Sequence, residues 1–202
     1  MESGYHSETW YDLDAVLARR AQLAPFLADF ARRLAPHRPD VICGPETGGA
    51  RLAEALAPLL GLPAVATDRI APPPAPAPPA SVAPGAPRLF PVRYEVRAAD
   101  RARLAGLRVA LVDDAISAGS AIRGSHASLV AAGAVPVVVG ALFVFGGGAA
   151  DFAARHGLAL EFLAAPDYRL WLPEQCPHCA RGVPVESVSD APPASPPPGS
   201  GR

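Results

Sequence analysis

Lysine is absent from this 202-residue chain; all 18 basic residues are arginine. No lysine can therefore serve as a catalytic acid, a base or a phosphate clamp. Cysteine occurs three times, as Cys43, Cys176 and Cys179. The start, MESGYHSETWYDLD, is polar and acidic and does not read as a signal peptide. Few cysteines and no export signal imply a reducing, cytoplasmic setting without a disulfide framework. The longest apolar run, Ala134 to Phe145, has 12 residues and contains Pro136, too short to span a bilayer. The formal net charge is −1, with no basic excess to attract nucleic acid or an anionic membrane.

What the chain does have is apolar residues, half of the total, arranged in short runs that alternate with helical spacing. Residues 12–35 carry Leu13, Val16, Leu17, Leu23, Phe26, Leu27, Phe30 and Leu34 at helical intervals, with Pro25 expected to kink or divide the helix. Strands are expected at 41–43, 64–66, 109–112, 135–145 and 158–163, with β character over 89–96. Helices are expected at 51–60, 121–132 and 149–156. Continuous apolar strands alternating with helices predict an α/β fold, a doubly wound, mainly parallel sheet with flanking helices. One domain is expected over 1–186, interrupted by a flexible Pro/Ala-rich insert at 71–87 and followed by a disordered tail at 187–202.

Two turns carry the chemistry. In 109–123, VALVDDAISAGSAIR, a buried strand ends in Asp113 and Asp114 and opens onto Ser117-Ala118-Gly119-Ser120-Ala121 at a helix start. Amide groups of such a loop and helix N-terminus hold a phosphate. Paired carboxylates would repel that phosphate but suit ribose hydroxyls, a developing positive charge on a sugar, or Mg²⁺. A second turn, Gly44-Pro45-Glu46-Thr47-Gly48-Gly49, also lies between a buried strand and a helix, and its glycines let backbone amides approach an anion. In doubly wound sheets both turns face the crevice beyond the strands' carboxyl ends.

Residues 112–123, VDDAISAGSAIR, resemble the 5-phosphoribosyl-1-pyrophosphate (PRPP) signature of the type I phosphoribosyltransferases. Three more segments are similar to the orotate phosphoribosyltransferase branch: Ser3-Gly4-Tyr5-His6-Ser7, the Gly44–Gly49 turn, and CPHCARGVP at 176–184. The resemblance implies transfer of ribose 5-phosphate from PRPP to a base, orotate in that branch, with release of pyrophosphate through an oxocarbenium-like transition state. It implies that Asp113 and Asp114 contact the ribose. Ser117, Ala118, Gly119, Ser120 and Ala121 would cradle the 5-phosphate, and Thr47, Gly48 and Gly49 would line the pyrophosphate. Mg²⁺ is expected, held mainly by PRPP itself rather than by protein ligands. The expected partners are small-molecule substrates and a second copy of the chain, as a homodimer.

The chain also departs from that family. Arg93-Tyr94-Glu95-Val96-Arg97 stands where the family's mobile loop reads Arg-Lys-Glu-x-Lys, leaving Arg97 as the catalytic candidate and Arg93 as a PRPP contact. An alternative places both arginines on the exposed face of an edge strand. Gly146-Gly147 stands where the family often has an Asp-Arg pair that recognises the orotate carboxylate, so Arg123 or Arg69 would have to substitute. The hood over the base is expected to be reduced. Competing readings are a non-catalytic PRPP-binding or regulatory protein, an enzyme for another base, or an unrelated nucleotide-binding α/β protein. Cys176-Pro177-His178-Cys179 looks like half a zinc site without a second pair, and a tail turn is the expected role. His37, His126 and His156 are expected at exposed positions.

Overall fold

The computed structural model describes residues 6–70, 93–169 and 171–185. The Pro/Ala insert, residues 89–92 of the expected β segment, the 187–202 tail, and residues 1–5, on which the expected hood bears, lie outside the described residues. The chain divides into two units: Tyr11–Ala83 with Leu89–Asp167, and Met1–Trp10 with Pro84–Arg88 and Tyr168–Arg202.

The larger unit is a six-stranded sheet. Its strands are β1 (Val41–Pro45), β2 (Ala64–Ile70), β3 (Arg93–Val96), β4 (Arg108–Ile116), β5 (Val135–Val144) and β6 (Ala159–Ala164), in the order β3-β2-β1-β4-β5-β6. All neighbours are parallel except β3, which runs antiparallel along β2 at the edge. The helices are α1 (Leu13–Ala18), α2 (Arg20–Leu34), α3 (Gly48–Leu60), the single turn α4 (Ala98–Arg101), α5 (Ser120–Ala131) and α6 (Gly148–His156).

Alternation along each strand supplies two cores. Ile42, Ala110, Val112, Val138 and Leu142 pack with apolar residues of α1, α2 and α3 on one face. Val41, Cys43, Val109, Leu111, Val139 and Ala141 pack with Ile122 and Leu129 of α5 and Phe152 of α6 on the other. Helices on both faces are the doubly wound arrangement that the continuous apolar runs predicted. Two glycines set the closest approaches. A Cβ on Gly140 would lie 2.8 Å from Phe30 Cζ, which seats α2 directly on β5. A Cβ on Gly124 would lie 2.9 Å from Tyr94 Cδ2, which seats α5 against the edge strand.

Two boundaries differ from the sequence expectation for physical reasons. The N-terminal helix divides at Arg19, and Pro25 sits inside α2. Pro25 is exposed, so the carbonyl left without its N–H partner meets solvent rather than core. β4 does not end at the carboxylates but runs through Asp113 and Asp114 to Ile116, because β5 continues alongside it and pairs Ala115 with Phe143 and Ile116 with Val144. Of the histidines, His126 lies 4.4 Å centroid to centroid from His156 and edge-on to Phe152. Partial burial, then His156, lowers the His126 pKa. His37 is half-buried, with Nε2 2.9 Å from Glu161 Oε1.

Candidate active site at the switch point of the sheet

β1 and β4 are adjacent and parallel, yet the chain leaves β1 through α3 toward β2 on one side and leaves β4 through α5 toward β5 on the other. Strand order reverses at this pair, and ligands of open α/β sheets bind outside the carboxyl ends of such a pair. The two glycine-rich turns are the two connections that leave it. Each turn feeds a helix whose first amide groups have no intrahelical partner. Thr47 precedes α3 and Gly119, at φ 73°, precedes α5, and neither makes a side-chain capping bond. Both helices therefore present open donors and positive dipole ends to the crevice.

The structure brings the turns into contact at the carboxylates. A Cβ on Gly48 would overlap the Asp114 carboxylate, and one on Gly49 would lie 2.8 Å from Asp113 Oδ1. Any side chain at either position would displace the acids or itself fill the crevice. The Glu46–Thr47 peptide, just before Gly48 in the first turn, is cis. Asp113 is 7% exposed, while Asp114 is half-buried. Asp113 Oδ1 accepts from the Asp114 amide at 3.0 Å, and Asp114 Oδ1 accepts from the Ala115 amide at 2.8 Å. Burial, followed by the charge of Asp114, raises the Asp113 pKa well above the usual carboxylate range, and burial also raises that of Asp114.

Ser117 and Ala118 are exposed, and Gly119, Ser120 and Ala121 are half-buried, along the loop into α5. The Arg123 guanidinium donates back to the Ala118 carbonyl and so lies over this loop. A Cβ on Gly148 would lie 2.9 Å from the Ser117 carbonyl oxygen, so the turn after β5 abuts the same loop. That turn, Gly146-Gly147, carries no side chain that could clamp a carboxylate.

Arg97 and Arg93 separate. Arg97 lies just past β3, where Val96 and Pro45 both pair with Thr67. Its Nε donates to Asp68 Oδ1 at 2.7 Å, and its Nη2 lies 3.3 Å from Glu46 Oε1, in the first turn. The Asp68 hydrogen bond raises the Arg97 pKa further. Arg93 belongs to the exposed face of the edge strand, where it pairs with Glu95 at 3.2 Å. Beneath the site, buried Thr67 and Ser125 share a 2.6 Å hydroxyl hydrogen bond, and Ser128 Oγ accepts from the Val96 amide at 2.8 Å. Sequence reasoning missed this brace; its signal was the small-residue series Gly124, Ser125 and Ser128 on one side of α5.

No protein-family model matches the chain. Among solved structures, orotate phosphoribosyltransferase from Aeropyrum pernix superposes with a TM-score of 0.58 over 82% of this chain and 83% of that one, at 22% identity. Adenine phosphoribosyltransferase from Thermoanaerobacter pseudethanolicus superposes with a TM-score of 0.55 over 74% of this chain and 84% of that one, at 22% identity. The chain has the type I phosphoribosyltransferase fold. In sequence it is 35% identical over 81 residues to the orotate phosphoribosyltransferase of Thermotoga maritima. That match spans 40% of this chain and 41% of the relative's length. The phosphoribosyltransferase fold thus has neighbours of both orotate and adenine type, and it leaves the base open.

Outside this crevice, Cys43 is buried in β1, and burial pushes its thiol up to about 12, as befits an inert core residue. No helix among the described residues is long and apolar enough to cross a membrane.

Proposed function

We propose that this chain is a phosphoribosyltransferase, a glycosyltransferase that moves ribose 5-phosphate from PRPP to a nitrogenous base. The observation that carries the reading is the meeting of Gly48 and Gly49 with Asp113 and Asp114 at the switch point between β1 and β4. One PRPP molecule has three parts of different chemistry, and the crevice offers a partner for each. The 5-phosphate takes the amides of Ser117 to Ala121 with the Ser117 and Ser120 hydroxyls. The ribose hydroxyls take the carboxylates, Asp114 being the more open of the two. The pyrophosphate takes Thr47, Gly48 and Gly49, with Arg97 beside them through Glu46. Arg93 remains a PRPP contact only through an approach of the edge strand to bound substrate.

In the reaction a ring nitrogen of the base attacks the anomeric carbon, the bond to pyrophosphate breaks with its electron pair leaving on pyrophosphate, and the base nitrogen releases its proton to solvent. Carboxylates held below the ribose favour the positive charge that develops there, and donors at the first turn favour pyrophosphate departure. The carboxylate oxygens of Asp114, the more open of the pair, fit a hard cation such as Mg²⁺. Asp114, through water, and the substrate's own phosphates would hold it, and it would neutralise charge on the leaving pyrophosphate.

Orotate is the base that the sequence similarity favours. With glycines at 146 and 147, Arg123, which lies over the phosphate loop, or Arg69 would replace the carboxylate clamp. A second reading, PRPP binding without turnover, is favoured by one observation: Arg97, in place of a lysine, is held by Asp68 and Glu46. Pyrophosphate release from PRPP and Mg²⁺, assayed with orotate, uracil, adenine, hypoxanthine and guanine, separates these readings. Release with one base supports the enzyme and names the base. Silence across the panel with PRPP still bound supports the second reading.

A further inference from the structure

The smaller unit gathers three nitrogen and sulfur metal ligands, two from the tail and one from the far end of the sequence. His6 exchanges backbone hydrogen bonds with Trp171, N to O at 2.9 Å in both directions, which fixes the N-terminal segment beside the tail. This pairing carries His6 Nδ1 to 3.2 Å from Cys179 Sγ, across 173 positions of sequence. The ligand atoms of His6, Cys176 and Cys179 all lie within 4.8 Å of one another. Donors of a tetrahedral zinc site, bonded at about 2.0 Å to nitrogen and 2.3 Å to sulfur, stand roughly 3.5–3.8 Å apart, so closure needs only small side-chain movements.

The Cys176–Cys179 turn holds both sulfurs on one compact loop. Cys176 is buried, and Cys179 is half-buried three residues on. The peptide is folded back by bonds from the Ala180 amide to the Cys176 carbonyl at 3.1 Å and from the Val183 amide to the His178 carbonyl at 3.0 Å. Around it, His178 packs edge-on to Trp171 at 5.5 Å, and its Nε2 lies 3.5 Å from Glu8 Oε2. His178 is thereby directed to Glu8, leaving His6 as the third ligand. Two thiolates and a neutral imidazole around a divalent cation sum to zero charge, which suits a partly buried position. Small units with little apolar core are commonly held by a metal or disulfide.

We propose that Cys176 Sγ, Cys179 Sγ and His6 Nδ1 hold a zinc ion, with solvent as the fourth ligand, and that this ion fastens the N-terminal segment to the tail. Its donors are nitrogen and sulfur rather than the oxygens of the crevice, so its metal class is different.

The test uses the full chain without a polyhistidine tag, purified under reducing conditions and equilibrated with zinc before dialysis. The expected result is about one zinc per chain by elemental analysis, and a cobalt-exchanged protein with thiolate-to-cobalt charge-transfer absorption and the strong visible bands of a tetrahedral site. His6→Ala and Cys179→Ser should each lower zinc affinity at least tenfold, read by competition with a chromogenic chelator. Should either variant fail to fold, the wild-type protein decides alone: chelation should raise the rate of thiol modification at Cys176 and Cys179 at least tenfold. Negligible zinc after equilibration, a Cys176–Cys179 disulfide in the reduced preparation, or a His6→Ala variant of unchanged affinity would each overturn the proposal. Neither PRPP binding nor turnover enters this readout.

Discussion

Asp113→Asn is expected to make the protein more stable at neutral pH while abolishing the proposed phosphoribosyl transfer. Asp113 is 7% exposed and its pKa is raised first by burial and then by Asp114. In the unfolded chain the same carboxyl titrates near the ordinary value of about 3.9. Between that value and the higher native one, the folded protein binds more protons than the unfolded chain. Stability therefore falls as pH rises through this window and levels off above the native pKa. Each unit of upward shift removes about 1.4 kcal/mol at pH values above both. Asparagine cannot ionise, its Oδ1 can still accept from the Asp114 amide, and its Nδ2 can donate to the Asp114 carboxylate. A gain in stability at neutral pH follows, and each kcal/mol of it raises Tm by about 2–4 °C for a domain of this size. Thermal melts of both proteins across pH 4 to 8 by circular dichroism read this directly. The variant should lead at pH 7 and the gap should close toward pH 4. A variant less stable than wild type at pH 7, or a gap independent of pH, would refute the assignment of Asp113 as a buried carboxyl held against its charge.

Thr67→Val strands the Ser125 hydroxyl at a fully buried position and should cost about 1–3 kcal/mol in urea unfolding, with part recovered in the Thr67→Val, Ser125→Ala double variant. Gly140→Ala places a methyl group 2.8 Å from Phe30 Cζ and should cost about 1–3 kcal/mol, again by urea unfolding, without changing PRPP affinity. Gly48→Ala puts a methyl group onto the Asp114 carboxylate and should weaken PRPP binding roughly tenfold or more by calorimetry, the loss of a charged hydrogen bond being worth about 1.5–3 kcal/mol.

Much of the sheet was legible because its strands are buried on both faces, so their apolar runs stand out without alternation, as in Val109 to Val112 and Val138 to Leu142. The switch-point crevice followed from two glycine-rich turns at strand ends. What escaped were features set by neighbours rather than by local sequence. β4 runs past its apolar stretch because β5 continues to pair with it, and this moves the carboxylates from the strand end into its last turn of pleat. The helix break at Arg19 has no proline or glycine to announce it. Arg97 could be read as loop or edge strand, and only its bonds to Asp68 and Glu46 tie it to the first turn. Cys176 and Cys179 read as half a metal site because the third ligand, His6, is supplied by a backbone bridge to Trp171 that no local pattern encodes.

The measurement closest to the central claim is calorimetric titration of PRPP with Mg²⁺ into the wild-type chain and into the Asp113→Asn, Asp114→Asn double variant. The account predicts one PRPP per chain for the wild type, and an affinity reduced roughly tenfold or more in a double variant that keeps its far-ultraviolet spectrum. Equal affinity in the two proteins would contradict it, because PRPP would then be bound somewhere other than at the meeting of the two turns.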